Sequence, residues 1–157
     1  MSLNTNEIYM NAALAEARLA EMSGDVPIGA VVVQRSNGAI VGRGHNTKER
    51  NKDPLGHAEI NAISDACKNL GAMYLSDCTL YVTLEPCTMC AGACINARIG
   101  SVVCALKDPK AGAMGSVMSV NSYPLNHKIT VEYGVCEKEA RNILQAFFEK
   151  KRMKGKA

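Results

Sequence analysis

The residues best suited to chemistry are His57-Ala58-Glu59 and, after 26 intervening residues, Pro86-Cys87-Thr88-Met89-Cys90. Two cysteines three positions apart at the start of a helix can turn both sulfurs toward one point, and thiolate with imidazole is a zinc donor set. His57, at the start of a second helix, supplies a third ligand. Helix N-termini leave unpaired N–H groups and a partial positive charge, which favours the thiolate forms of Cys87 and Cys90. Three protein ligands leave the fourth tetrahedral position to water, the pattern of a catalytic rather than a structural zinc. One Zn²⁺, two thiolates and a neutral histidine sum to zero, so ionising that water costs less than in bulk and its pKa falls toward about 7. Glu59 is not needed as a ligand, and its carboxylate can take the water proton and pass it to a ring nitrogen and then to a leaving amine. Cys94, four residues after Cys90 on the same helical face, leaves a second arrangement open: a closed, purely structural site of His57, Cys87, Cys90 and Cys94.

These groups need elements to carry them. Ile8, Ala12, Ala15, Leu19 and Met22 recur at spacings of four and three, one face of a helix ending near Gly24. Ile28–Gln34 and Ala39–Val41 flank Ser36-Asn37-Gly38 and predict a tight hairpin of two antiparallel strands. The polar, basic stretch Gly42–Gly56 reads as a long loop leading into a helix over Gly56–Leu70. Thr79–Thr83 is a β-branched and aromatic strand, Pro86 opens a helix to about Ala97, and Ser101–Leu106 is a second strand parallel to the first. A Gly-rich stretch, Lys107–Ser122, carries Met114 and Met118 at helical spacing. Ile129–Tyr133 is a fifth strand and Glu137–Lys151 a closing helix. Helices on both faces of one mixed five-stranded sheet, an α/β protein, follow from this order.

The chain has 157 residues, 47% hydrophobic and 21% charged, which predicts one packed domain over 1–157 and excludes a disordered or collagen-like protein. No apolar run approaches the roughly 18 residues needed to cross a bilayer. The N-terminal residues have neither a basic start nor an apolar core, so no secretory leader and a cytoplasmic location are expected. The net charge of +3 is unevenly placed. Lys150, Lys151, Arg152, Lys154 and Lys156 put five of the 18 basic residues in the last eight positions, leaving 13 against 15 acidic residues before them. Such a basic tail, about 150–157, suits phosphate contacts. Seven cysteines without an export signal argue against a disulfide framework, and Cys67, Cys78, Cys104 and Cys136 read as buried fillers. Of Phe147 and Phe148, at least one should be buried, and His45 is a candidate for contacting a phosphate or for capping a turn.

With these residues in view, the sequence resembles the zinc-dependent nucleoside deaminases, whose signature of His-x-Glu and Pro-Cys-x-x-Cys it carries. Within them it looks most like the bacterial tRNA-specific adenosine deaminases. The likeness covers Glu7 to Arg152 and runs through Val26-Pro27-Ile28-Gly29-Ala30, Gly44-His45-Asn46, Asp53-Pro54, His57-Ala58-Glu59-Ile60 and Thr79 to Ala93. It continues through Arg98-Ile99-Gly100, Lys107-Asp108-Pro109-Lys110, Gly115-Ser116, Asn126-His127 and Phe147-Phe148. The resemblance implies a three-layer α/β/α, cytidine-deaminase-like fold, with zinc on His57, Cys87 and Cys90, one ion per subunit with a catalytic water, and Glu59 as proton shuttle. It also implies that Asn46 contacts a flipped-out base, that the Pro27-Ile28-Gly29 turn lines its pocket and that Asp108 sits near the ribose. It implies a homodimer holding a tRNA anticodon stem-loop, that of an arginine tRNA, and converting its wobble adenosine to inosine. The chain departs from the family at Lys48-Glu49-Arg50, Leu55-Gly56 and Cys104-Ala105-Leu106, none of which touches the metal set.

Three functions compete on the sequence. The first is tRNA adenosine deamination. The second is deamination of a free base or nucleoside such as guanine or cytosine, and the third is a non-catalytic, zinc-stabilised RNA-binding module. An open metal position with Glu59 beside it argues against the third.

Overall fold

The computed structural model describes residues 4–155. Helix α1 (Thr5–Met22) is started by Asn4, whose side-chain oxygen accepts the Glu7 N–H at 2.9 Å. It leads to strand β1 (Gly29–Gln34) and, through a turn at Arg35–Gly38, to β2 (Ile40–His45). Only Gly38 of the Asn-Gly pair takes a positive φ, +70°, so the turn is wider than the expected tight hairpin. A four-residue helix, α2 (Lys48–Asn51), precedes α3 (Ala58–Leu70). Then come β3 (Cys78–Leu84), α4 (Thr88–Asn96), β4 (Ser101–Leu106), a 3-10 turn at Val120–Ser122, β5 (Thr130–Tyr133) and α5 (Glu137–Gly155).

The five strands form one mixed sheet in the order β2-β1-β3-β4-β5. β1 is antiparallel to both its neighbours, whereas β3, β4 and β5 run parallel. Alternation along the strands sorts side chains to two cores. Ala30, Val32, Leu80, Val82, Val102 and Cys104 face α3 and α4, while Val31, Val33, Tyr81, Val103 and Ala105 face α1 and α5. This is the three-layer α/β/α arrangement expected.

One expectation needs correction. Gly42–His45, read as the start of a long loop, lies in β2, and the rest of that stretch contains α2. The glycines that made it look like a loop are there for close approach. A Cβ at Gly44 would lie 2.4 Å from both the Ala58 oxygen and the Ala62 nitrogen, so α3 packs directly on β2 backbone. Met114 and Met118 are not on a helix either, although Met114 is buried and Met118 packs against the same core. The basic tail continues α5 as far as Gly155, with Lys156 and Ala157 outside the described residues. Phe147 is buried and Phe148 is exposed.

Candidate active site

The site lies where β3 and β4 end and β1 begins, at the carboxyl edge of the parallel strands. Five chain segments converge there. The start of β1 brings Ile28, the end of β2 brings Asn46, and the Asn46 N–H donates to the Ile28 carbonyl at 3.2 Å. His57 is the N-cap of α3 and Glu59 sits in that helix's first turn, while Cys87 is the N-cap of α4 and Cys90 lies in its first turn. Asp108 follows β4.

Among the described residues, His57, Cys87 and Cys90 form the one group of three whose ligand atoms lie within 4.8 Å of one another. Nδ1 of His57 is 3.7 Å from the Cys87 sulfur and 3.5 Å from the Cys90 sulfur. In a tetrahedron with zinc–sulfur bonds of about 2.3 Å and zinc–nitrogen bonds of about 2.0–2.1 Å, that edge is about 3.6 Å. The donor set therefore fits a tetrahedral ion. Cys94 is wholly buried and stands outside the group, its sulfur not within 4.8 Å of all three donor atoms. The closed four-ligand arrangement is thus not the one the fold builds.

The three donors are electrostatically linked to one another. Hydrogen bonds from the Cys90 thiol and from His57 hold the Cys87 thiol well below its ordinary range. Cys90 is raised by that bond to Cys87 and by burial, and the Cys87 contact raises His57 against its own burial. Burial pushes Glu59 up to about 7, against the pull of its own backbone N–H and of His57. A carboxyl tuned near neutrality can both accept and return a proton.

Glu59 and His57 face a cavity of about 140 Å³, bounded also by Ile28, Asn46, Leu84, Glu85, Cys87, Asp108 and Ala111. The Asn46 side-chain oxygen is committed to the Ala58 N–H at 2.9 Å, which leaves its amide NH₂ as the group on offer. Of the Pro27-Ile28-Gly29 turn, only Ile28 reaches the cavity. Pro27 is fully buried, and a Cβ at Gly29 would come within 2.0 Å of the Ala13 oxygen, so that glycine serves the packing of α1 on β1. Asp108 lines the cavity and also closes its own turn by accepting from Lys110 N at 3.0 Å and Ala111 N at 3.3 Å. His45 is turned away to Glu16, 2.9 Å from its Nδ1.

A larger groove of about 840 Å³ adjoins the cavity, shares Leu84 and Asp108 with it, and is flanked by Lys107, Lys110, Arg141 and Phe148. Beyond it, Lys151 and Arg152 of α5 continue the basic border.

Two supporting carboxylates were missed in the sequence. Buried Asp25 accepts the Glu49 N–H at 2.7 Å and the Arg50 N–H at 3.2 Å and so anchors α2 beside the site. Buried Glu85 gathers the loop after β4. The available signal was an acidic residue set within an otherwise apolar run, Asp25 before Val26-Pro27 and Glu85 after Tyr81-Val82-Thr83-Leu84.

The chain is similar to known proteins over nearly its full length. A tRNA-specific adenosine deaminase of Bacillus subtilis is 46% identical over 156 residues, covering 99% of this chain and 96% of that protein. One of Aquifex aeolicus is 44% identical, covering 93% and 95%. A structure solved in work on A-to-I editing by tRNA:A34 deaminases at the wobble position of transfer RNA superposes with a TM-score of 0.83. It is 43% identical to this chain, with 87% of this chain and 99% of that one covered. A guanine deaminase from Nitrosomonas europaea shares the fold at 26% identity and a TM-score of 0.80, covering 94% and 86%. A family model for MafB19-like deaminases matches residues 4–152, which span every element that builds the site. On fold, site and descent alike, the chain belongs to the MafB19-like deaminases and, among them, to the family of the tRNA-specific adenosine deaminases.

Proposed function

We propose that this protein hydrolyses adenosine to inosine at the wobble position of a tRNA anticodon, releasing ammonia. The observation that carries the reading is the buried Glu59 set beside a three-donor cluster that opens into a cavity of single-base size. The metal that suits the donors is zinc, one per subunit on His57, Cys87 and Cys90. Its chemistry is Lewis acidity, which makes a water at the open position a nucleophile near neutral pH.

The chain's own groups do the rest. Glu59 takes a proton from the attacking water and delivers it to the adenine ring nitrogen, then takes the remaining proton of the newly bonded hydroxyl and gives it to the departing amine, which leaves as ammonia as the carbonyl forms. The free amide hydrogens of Asn46 donate to an acceptor on the base, Ile28 packs on its face, and Asp108 stands at the cavity mouth toward the ribose. Pro27 and Gly29 support this wall from behind by holding the turn in place. A stacked base cannot reach so enclosed a cavity, so the target nucleotide must be extruded. The basic groove from Lys107 along α5 supports RNA as the substrate. An arginine tRNA, a homodimer and a cytoplasmic site of action complete the reading; they rest on family resemblance.

The second reading, deamination of a free base such as guanine, is favoured by the likeness to a guanine deaminase. One experiment separates the two. The zinc-loaded protein is incubated with total tRNA, which is sequenced for A-to-inosine conversion, and in parallel with a panel of bases and nucleosides assayed for ammonia. Inosine at a wobble position supports the first reading. Ammonia from a free base with unaltered tRNA supports the second.

A further inference from the structure

Glu85 leaves β3 as a buried carboxylate with no cationic partner among the described residues. Four donors of one loop point at it instead. Oε1 accepts the Asp108 N–H at 3.0 Å and the Ser116 hydroxyl, while Oε2 accepts the Met114 N–H at 2.9 Å and the Ser116 N–H at 3.1 Å. The loop wraps so closely that a Cβ at Gly112 would lie 2.4 Å from both Cδ and Oε2 of Glu85. Asp108 and Ala111, two residues of this loop, line the cavity that Asn46, His57 and Glu85 itself also bound.

We infer that Glu85 is a positioning residue for substrate, its carboxylate clamping residues 108–116 so that Asp108 and Ala111 stand as the wall against which the target base is held. This rests on the deaminase reading above. A buried charge-assisted clasp costs little reorganisation once formed and holds geometry tightly. Since Glu85 hydrogen-bonds none of His57, Cys87, Cys90 or Glu59 among the described residues, loosening the clasp acts on substrate placement more than on the chemical step.

The test compares zinc-loaded wild type, Glu85→Gln, Gly112→Ala and Ser116→Ala. Gln presents an amide NH₂ to N–H donors, and Ala at position 112 displaces the loop while leaving the charge in place, so two unrelated changes break one clasp. Each variant is measured by amide hydrogen exchange and by steady-state deamination of an anticodon stem-loop with adenosine at the wobble position. Glu85→Gln and Gly112→Ala are expected to lose protection at 108–116 but not in β3 or β4. Both raise KM about tenfold or more, with kcat within about threefold of wild type. Ser116→Ala falls between, and the double variant Glu85→Gln/Gly112→Ala is no worse than either single one. Retained loop protection, an unchanged KM, or a fall in kcat alone overturns the inference. If Glu85→Gln does not fold, the other two variants carry the test. A wild type that forms no inosine in the stem-loop refutes the substrate, and the exchange data still decide whether Glu85 holds the loop.

Discussion

The side-chain oxygen of Asn46, at the end of β2, accepts the backbone N–H of Ala58, the first residue of α3, at 2.9 Å. His57, which precedes Ala58, caps the helix without a side-chain bond of its own, so the cap is supplied across 12 residues by a strand. The residue proposed to read the base thereby also fixes the helix end that carries the proposed metal ligand, His57, and the proposed proton shuttle, Glu59. On that proposal, recognition and catalysis share one hydrogen bond.

The two roles of Asn46 can be separated. Asn46→Ala removes the cap, at a cost of about 0.5–2 kcal/mol, which lowers the thermal midpoint by about 2–4 °C per kcal/mol. Asn46→Asp keeps the acceptor for Ala58 but loses both amide hydrogens. It is expected to keep most of the stability while inosine formation drops by about tenfold or more. Calorimetry with a turnover assay decides: full activity in Asn46→Asp reduces Asn46 to a cap.

Glu59→Gln leaves the shape of the cavity intact and removes the proton carrier. Turnover should fall by about 10²–10⁴-fold or more, with one zinc per chain still found by elemental analysis. Because burial already disfavours the ionised carboxyl, the variant should be no less stable than wild type. Activity within a few fold of wild type removes Glu59 from the mechanism.

Metal retention discriminates between open and closed sites. Cys90→Ala is expected to lose the ion together with activity, whereas Cys94→Ala keeps one ion per chain and most of its turnover. Chelation is expected to abolish activity and added zinc to restore it. Loss of the ion from Cys94→Ala makes Cys94 a fourth ligand and leaves no position for water.

The donor set was legible because it is local: Cys87 and Cys90 are one turn apart, and His57 and Glu59 share a first turn. The strands Thr79–Thr83 and Ser101–Leu106 announced themselves by β-branched runs within β3 and β4. What escaped was tertiary. Gly42 and Gly44 look like loop residues until α3 is laid on β2, when they become the one residue type that fits. Glu85 finds its partners 23 to 31 residues away, and three of the four are backbone N–H groups, which carry no residue-type signature. Met114 and Met118 kept a helical spacing by chance while their segment wrapped around that carboxylate. His45 looked like a surface contact next to Asn46 because nothing in α1 marked Glu16 as its partner.

Alkaline pH tests the second anchor of that segment. The Tyr133 hydroxyl donates to the Met114 carbonyl, and burial, with Glu85 and Cys104 nearby, pushes its pKa from 10 to about 12. A raised folded-state pKa gives stability that is fully present below the unfolded value and lost as pH rises through the folded one. Tyr133→Phe should therefore be about 0.5–1.5 kcal/mol less stable than wild type at pH 8, with the gap closing between pH 10 and about 12. Urea unfolding at a series of pH values measures it, and a gap that does not change with pH rules out the hydroxyl as its source.

The last two turns of α5 test the RNA path. Lys150, Lys151, Arg152 and Lys154 lie on the helix that borders the groove, and Lys151 also sits over the Phe147 ring at 5.6 Å. Replacing all four by Gln keeps helix-forming side chains and removes only charge. Each cation withdrawn from a phosphate should flatten the plot of log affinity against log salt by about 0.7–0.9 units, so the variant binds a stem-loop more weakly at low salt and converges on wild type at high salt. Since the cavity is untouched, kcat at saturating stem-loop should stay within about twofold of wild type. An unchanged salt slope would mean that these four charges are solvated and that the stem-loop is held elsewhere, with Lys107, Lys110 and Arg141 the next residues to neutralise.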